Sequence, residues 1–175
     1  MTNILITGVG SYLPNNIITN NELPRDLNTS DEWIKKRTGI RQRHLVTEGE
    51  LTSTMAIAAA KKALQNANID NKDIDLIIVA TTTPDKTFPA TAVMVQSELN
   101  IGIGPAFDIQ AVCAGFIYAL NVGSSLLKTS NFSKALVIGS ESFSKILDWS
   151  DRSTSVLFGD GAGAFVLEKS NINSE

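Results

Sequence analysis

Leu76-Ile77-Ile78-Val79-Ala80 is an unbroken apolar run, entered from the polar stretch Asp70 to Asp75. A strand with one wet face alternates apolar with polar residues. This one does not, so both of its faces must be covered. Comparable short runs stand at Asn3 to Val9, Ala106 to Ile109, Ala135 to Ile138 and Ala164 to Leu167. Between them lie segments of helical length and pattern: Asp31 to about Thr38, Thr52 or Ser53 to about Asn68, Ala92 to Leu99, and Ala114 to Leu127. Strands alternating with helices predict an α/β fold, a five-strand, mostly parallel sheet with helices on both faces. The stretch through Pro14 and Pro24 reads as irregular and Ile40 to Val46 as extended. Thr29-x-x-Glu32 matches a capping box, and Gly39 is placed to end that helix in a left-handed cap. Ser170 to Glu175 reads as a solvated end.

The segment Ala114 to Leu127 is unusual. Ala114, Gly115, Ile117, Ala119, Val122, Gly123 and Ser124 put apolar or small residues on several helical faces at once. Such a helix is expected to be buried all round. One five-strand sheet covers only one side of it, so a second chain or a second half is expected to cover the other.

Composition narrows the function classes. A net charge of −3 argues against general nucleic-acid binding. One cysteine excludes an intramolecular disulfide and any multi-cysteine metal site, and no metal is expected. No apolar run approaches membrane-spanning length, and Asn3 to Ile6 reads as a first strand rather than a signal peptide. A cytoplasmic, reducing location is the default that fits a free thiol.

That cysteine, Cys113, stands where the Ala106 to Ile109 strand gives way to the apolar helix. A thiol at a helix N-terminus meets unpaired backbone N–H groups and the positive end of the macrodipole, and both favour thiolate. Taken alone, the position fits either a nucleophile or a small buried apolar side chain. Gly8-Val9-Gly10 follows a strand but lacks the third glycine of a dinucleotide fingerprint, since Leu13 holds that place, and a tight turn is expected. Gly159-Asp160-Gly161-Ala162-Gly163 lacks the Lys-Ser/Thr of a phosphate loop and reads as a sharp turn or close backbone approach. His44, the only histidine, reads as structural, and Asp108, Asp148 and Asp160 as caps and turns. Trp33 and Arg37, four residues apart, share one helical face. With Arg152 they could stack a planar base and neutralise phosphate, or simply pack a helix beside solvated charges.

Three stretches together resemble one family, the beta-ketoacyl-acyl-carrier-protein synthase III enzymes of the thiolase-like superfamily. They are Thr29-Ser30-Asp31-Glu32-Trp33-Ile34 through Arg41, Phe107-Asp108 to Cys113-Ala114-Gly115-Phe116, and Leu157-Phe158-Gly159-Asp160-Gly161-Ala162-Gly163-Ala164. The resemblance runs over residues 1–175 as the N-terminal thiolase-like half of such an enzyme, whose chains are almost twice as long. It implies that residues 11–51 are an insertion carrying a coenzyme A-binding helix. It implies that Cys113 takes a short acyl group from acyl-coenzyme A, its own N–H helping to form an oxyanion hole. Trp33 and Arg152 would sandwich the adenine, and Thr29 and Arg37 would bind the base edge and phosphates. Leu157 and Phe158 would shape the acyl pocket, to which Phe88 is offered by a partner subunit. The implied assembly is a homodimer joined near the Phe107 strand, and coenzyme A is a substrate rather than a cofactor. Malonyl-acyl-carrier protein would be the second substrate, condensed with loss of carbon dioxide. The histidine and asparagine serving that step belong to the missing C-terminal half, so this chain alone is not expected to condense. Two other classes fit the residues: a non-catalytic fragment that dimerises or binds acyl-carrier protein, and another thiolase-superfamily coenzyme A enzyme.

Overall fold

The computed structural model describes residues 2–102 and 104–171 of the 175. Among the described residues seven strands form, β1 (Thr2–Tyr12), β2 (Asn16–Thr19), β3 (Gln42–Leu45), β4 (Leu76–Ala80), β5 (Ala106–Ile109), β6 (Lys134–Glu141) and β7 (Gly161–Asn171). The α-helices are α1 (Asp31–Thr38), α2 (Thr52–Ala67), α3 (Thr91–Glu98), α4 (Gly115–Thr129) and the single turn α5 (Arg152–Ser155). Five strands make one sheet in the order β1-β7-β6-β4-β5, and β2 pairs with β3 in a separate antiparallel ribbon.

The five-strand α/β sheet is as expected, but its pairing is mixed rather than mostly parallel. β4 runs parallel to both β5 and β6, whereas β7 runs antiparallel to β6 and to β1. The apolar runs show that strands are covered on both sides but carry no direction. The direction of β7 follows from the absence of a crossover helix long enough to return the chain between β6 and β7. The expected solvated end is corrected at Ser170, which pairs with Asn3 at the end of β7; residues 172–175 lie outside the described residues.

Coverage of both faces is visible residue by residue. Ile77 and Val79 of β4, with Leu136 and Ile138 of β6, pack against the alanine face of α2 and against α3. Leu76, Ile78 and Ala80, with Ala135 and Val137, pack against α4 on the opposite side. All of these except Ala80, at 6 %, have no measurable exposure. A third cluster of Leu23, Leu27, Ile34 and Val156, flanked by Trp33 and Trp149, forms around α1 and ties it to the α5 segment.

Two local expectations change. Gly8 and Gly10 are strand residues, not a turn. A Cβ on Gly10 would stand 2.2 Å from the Ala59 carbonyl oxygen, so the missing side chains let α2 lie directly on β1. The α1 N-cap is Ser30, whose hydroxyl accepts the Trp33 N–H at 3.1 Å, rather than Thr29. Ser30 lies three residues before Trp33 and reaches its amide directly. Gly39 closes α1 at φ 75°, the left-handed cap its position predicted.

α4 meets the sheet along Gly115, Ala119, Gly123 and Leu127, one buried stripe at four-residue spacing. Its other side leaves Ile117 62 % and Tyr118 56 % exposed. The helix expected to be buried all round is thus covered on one side within this chain.

Candidate functional site

The parallel strands β4, β5 and β6 all end on the same edge of the sheet, and Cys113 sits just past the end of β5. The chain turns there through Val112, at φ 46°. That left-handed value is rare for a β-branched residue and costs on the order of 1–3 kcal/mol. Val112–Ala114 then forms a 3-10 turn that leads straight into α4. Cys113 therefore lies inside the first helical turn instead of one residue before it. The strained turn was not legible beforehand, because no glycine marks it.

Cys113 is exposed, which removes the reading of a buried apolar side chain. It lines two adjoining hollows. The larger, about 320 Å³, is bounded by Ala80, Phe116, Gly139 and the Gly161–Gly163 strand. The smaller, about 180 Å³, is bounded by Val112, Glu141, Phe143, Phe158 and Gly159. Among the described residues the Cys113 N–H meets no acceptor, while the next two amides bond to Ala111 and Val112 carbonyls. A free donor thus stands beside the sulfur, as an oxyanion contact requires.

Phe158 borders the smaller hollow, stacked on Phe143 with ring centroids 4.5 Å apart. Leu157 is 44 % exposed and borders neither hollow. Phe88 is 82 % exposed and also lies off both. Glu141 and Phe143 were missed in the sequence. Glu141 follows an apolar strand like any solvated residue, yet its carboxylate accepts the Thr82 N–H at 2.7 Å and the Thr83 hydroxyl.

A second cluster gathers Trp33, Arg37 and Arg152. The guanidinium of Arg37 lies 4.2 Å from the indole centroid and that of Arg152 4.9 Å. Arg152 also donates to the Asn28 carbonyl at 3.0 Å, beside Thr29, whose hydroxyl is buried without a partner among the described residues. Neither arginine is in a described salt bridge. Asp31, at the head of α1, is held below the usual carboxylate range by Lys35, with help from Asn20. Arg43 threads beneath this region and donates to Asn20 and to the Val156 carbonyl. Burial lowers its pKa.

Asp160 joins the two regions. Only 5 % exposed, it accepts the Val46 N–H at 2.7 Å and the Ser144 N–H at 2.8 Å, and so fixes Gly159 at the wall of the smaller hollow. Asp108 accepts the Thr91 and Ala92 N–H groups and caps α3. His44 is hydrogen-bonded to the Pro14 carbonyl at 2.6 Å and borders neither hollow. The capping and structural readings of these residues hold. Among the described residues no three histidine, cysteine or acidic side chains cluster to hold a metal. No described helix is long and apolar enough to cross a membrane.

A helix-flanked mixed sheet with a cysteine at the head of α4 defines a thiolase-like α/β protein. The comparisons with known proteins make this specific. Residues 107–175 match the family profile of 3-oxoacyl-[acyl-carrier-protein] synthase III. Beta-ketoacyl-[acyl-carrier-protein] synthase III of Ehrlichia canis is 59 % identical over 170 residues, 97 % of this chain and 53 % of that protein. The Bradyrhizobium diazoefficiens enzyme is 59 % identical over 164 residues, 94 % of this chain and 50 % of that protein. Among solved structures, the 3-oxoacyl-[acyl-carrier-protein] synthase III of Aquifex aeolicus superposes with a TM-score of 0.93 at 50 % identity. It is matched over 97 % of this chain and 55 % of its own. The Pseudomonas aeruginosa protein gives 0.90 at 40 %, over 98 % of this chain and 53 % of its own. The chain belongs to the beta-ketoacyl-acyl-carrier-protein synthase III family, and it spans about half the length of the curated relatives it matches.

Proposed function

We propose that this chain carries the acyl-accepting part of a condensing enzyme that starts fatty-acid chains. Cys113 takes a short acyl group from acyl-coenzyme A. The observation that carries this reading is an exposed cysteine at a helix head, beside its own unpaired N–H and opening on two hollows. The thiolate attacks the thioester carbonyl and forms a carbon–sulfur bond. The oxyanion leans on the Cys113 N–H, and collapse expels coenzyme A as a thiolate that then takes up a proton. The acyl-enzyme keeps the energy of a thioester while the first carrier leaves.

Trp33, Arg37, Arg152 and Thr29 form the coenzyme A surface. A base entering between Trp33 and Arg152 displaces a cation–π contact worth about 0.5–1 kcal/mol at an exposed site and gains about 1–3 kcal/mol of stacking, so insertion wins. The 180 Å³ hollow behind Phe143 and Phe158 suits a short acyl chain. Condensation with malonyl-acyl-carrier protein and loss of carbon dioxide is the second step in our reading. No histidine or asparagine borders either hollow among the described residues, and the family resemblance assigns the groups that promote this step to the other half of such enzymes. Strand β5, at the sheet edge, is the surface through which two copies would join, with Phe88 reaching the partner's pocket. The setting we infer is the reducing cytoplasm.

The test is intact-mass analysis of the 175-residue chain with acetyl-coenzyme A. One acetyl group is expected on Cys113 and none on Cys113→Ala, and coenzyme A is expected to slow alkylation of Cys113. A thiol that stays unacylated, and that coenzyme A does not protect, would point to a non-catalytic interaction module instead.

A further inference from the structure

We propose that Glu141 is a charge filter at Cys113, admitting neutral acyl groups and turning away those that carry a carboxylate. The proposal rests on the acyl-transfer reading above and names the substrate class of that site. Among the described residues Glu141 is the only charged side chain bordering either hollow, and it borders both. Most of the remaining lining is apolar or glycine, with Cys113 and Ser140 the other polar side chains, so a second negative charge would meet the first with no neutralising cation in the described lining.

The carboxylate is also held in place. One oxygen accepts the Thr82 N–H and the other the Thr83 hydroxyl. The Thr83 hydroxyl oxygen accepts the Ser142 N–H at 2.9 Å, and the Thr83 carbonyl accepts the Thr52 hydroxyl at 2.6 Å. Thr52 is bonded in turn to Asp85 through its N–H and to Ser140 through its carbonyl. Swinging Glu141 away would strand two donors just past the end of β4, one of them on a buried threonine. The helix head and the Cys113 N–H do attract negative charge, but they face the reacting carbonyl. Glu141 stands along the wall where the rest of the acyl group must lie. Such a filter serves an enzyme handling two thioesters that differ chiefly by a carboxylate, because it keeps the malonyl unit off the sulfur reserved for the primer.

The experiment compares the wild-type 175-residue chain with Glu141→Gln, which keeps the shape and can still bond Thr82 and Thr83, and with Glu141→Asp, which keeps the charge. Alkylation of Cys113 by neutral iodoacetamide and by anionic iodoacetate is followed by intact mass, then loading from acetyl- and succinyl-coenzyme A. The wild-type chain should prefer iodoacetamide more strongly than a small free thiol does. Glu141→Gln should lower that preference about ten-fold and raise succinyl relative to acetyl loading by a similar factor, while Glu141→Asp stays near wild type. Equal ratios in the wild-type chain and Glu141→Gln overturn the filter, even if both rates fall, since that is what a plain strut between β4 and β6 would give. A shifted alkylation ratio with no loading from either thioester keeps the filter toward small anions and sinks the acyl-transfer reading.

Discussion

Replacing Asp160 tests whether the wall of the smaller hollow beside Cys113 is held by one carboxylate. Asp160 accepts from the Val46 N–H, the Ser144 N–H and the Ser144 hydroxyl, at 2.7, 2.8 and 2.5 Å. Its own N–H donates to the His44 carbonyl at 2.8 Å and is unaffected by the side chain. A hydrogen bond to a charged group contributes about 1.5–3 kcal/mol, and stranding its partner removes most of that. Two of the three donors are backbone amides that cannot rotate to water. Asp160→Ala should therefore cost about 3–5 kcal/mol. At roughly 2–4 °C per kcal/mol for a chain of this size, Tm should fall by about 10 °C or more. Asp160→Asn keeps the volume and one acceptor oxygen but turns an NH2 toward a donor, and should cost about half as much. Urea unfolding gives the free energies. Amide exchange gives the location, with Val46 and Ser144 losing protection before the β4–β6 core does. If both variants lose less than about 1 kcal/mol, Asp160 is not the clamp described and the hollow's wall is held by packing alone.

Two further outcomes follow from the same geometry. Gly10→Ala places a Cβ 2.2 Å from the Ala59 carbonyl oxygen and 2.3 Å from the Ala63 nitrogen, whereas Gly163→Ala meets nothing within 4 Å. The first should cost about 3 kcal/mol or more and the second within about 1 kcal/mol in thermal unfolding, although both are strand glycines. The Tyr12 hydroxyl donates to Glu50 at 2.8 Å, which raises the tyrosine pKa above its ordinary value through that bond first, then burial and the carboxylate's charge. A folded-state pKa above the unfolded one gives stability that is present below about pH 10 and fades as pH rises through the folded value. Glu50→Gln should shift one phenolate transition in an ultraviolet titration to lower pH, and Tyr12→Phe should abolish it.

How much was legible in the sequence depends on whether a residue acts through its neighbours in the chain or through space. β4 and β5 run from Leu76 to Ala80 and from Ala106 to Ile109 as their apolar runs predict, and α1 spans Asp31–Thr38, closed by Gly39. These are local matters of period, propensity and capping. The clustering of Trp33, Arg37 and Arg152 was partly local, through the four-residue spacing, and partly carried by the family resemblance. The direction of β7 and the packing role of Gly10 were not legible, because each is set by an element far along the chain. Glu141 escaped for the same reason: the donors that pin it are Thr82 and Thr83, about sixty residues earlier.

α4 links the packing to the chemistry. Large apolar side chains usually face a sheet and small ones face water. Here Gly115, Ala119 and Gly123 face the sheet while Ile117, Tyr118 and Val122 face outward. A Cβ on Gly123 would already press Val137 at 3.2 Å, so this helix approaches the sheet closely because its inner stripe is small. Close approach sets the depth at which Cys113 emerges between β4 and β6. Yet small residues bury little area, and each contributes less than about 1 kcal/mol where an isoleucine would contribute 1.5–3 kcal/mol. The larger apolar contacts that hold α4 on the sheet come instead from Leu127, fully buried, and from Phe116, Leu120 and Leu126 packed beside it. Ile117, Tyr118 and Val122 are left exposed on the outer side, in a chain that spans about half the length of the curated relatives it matches.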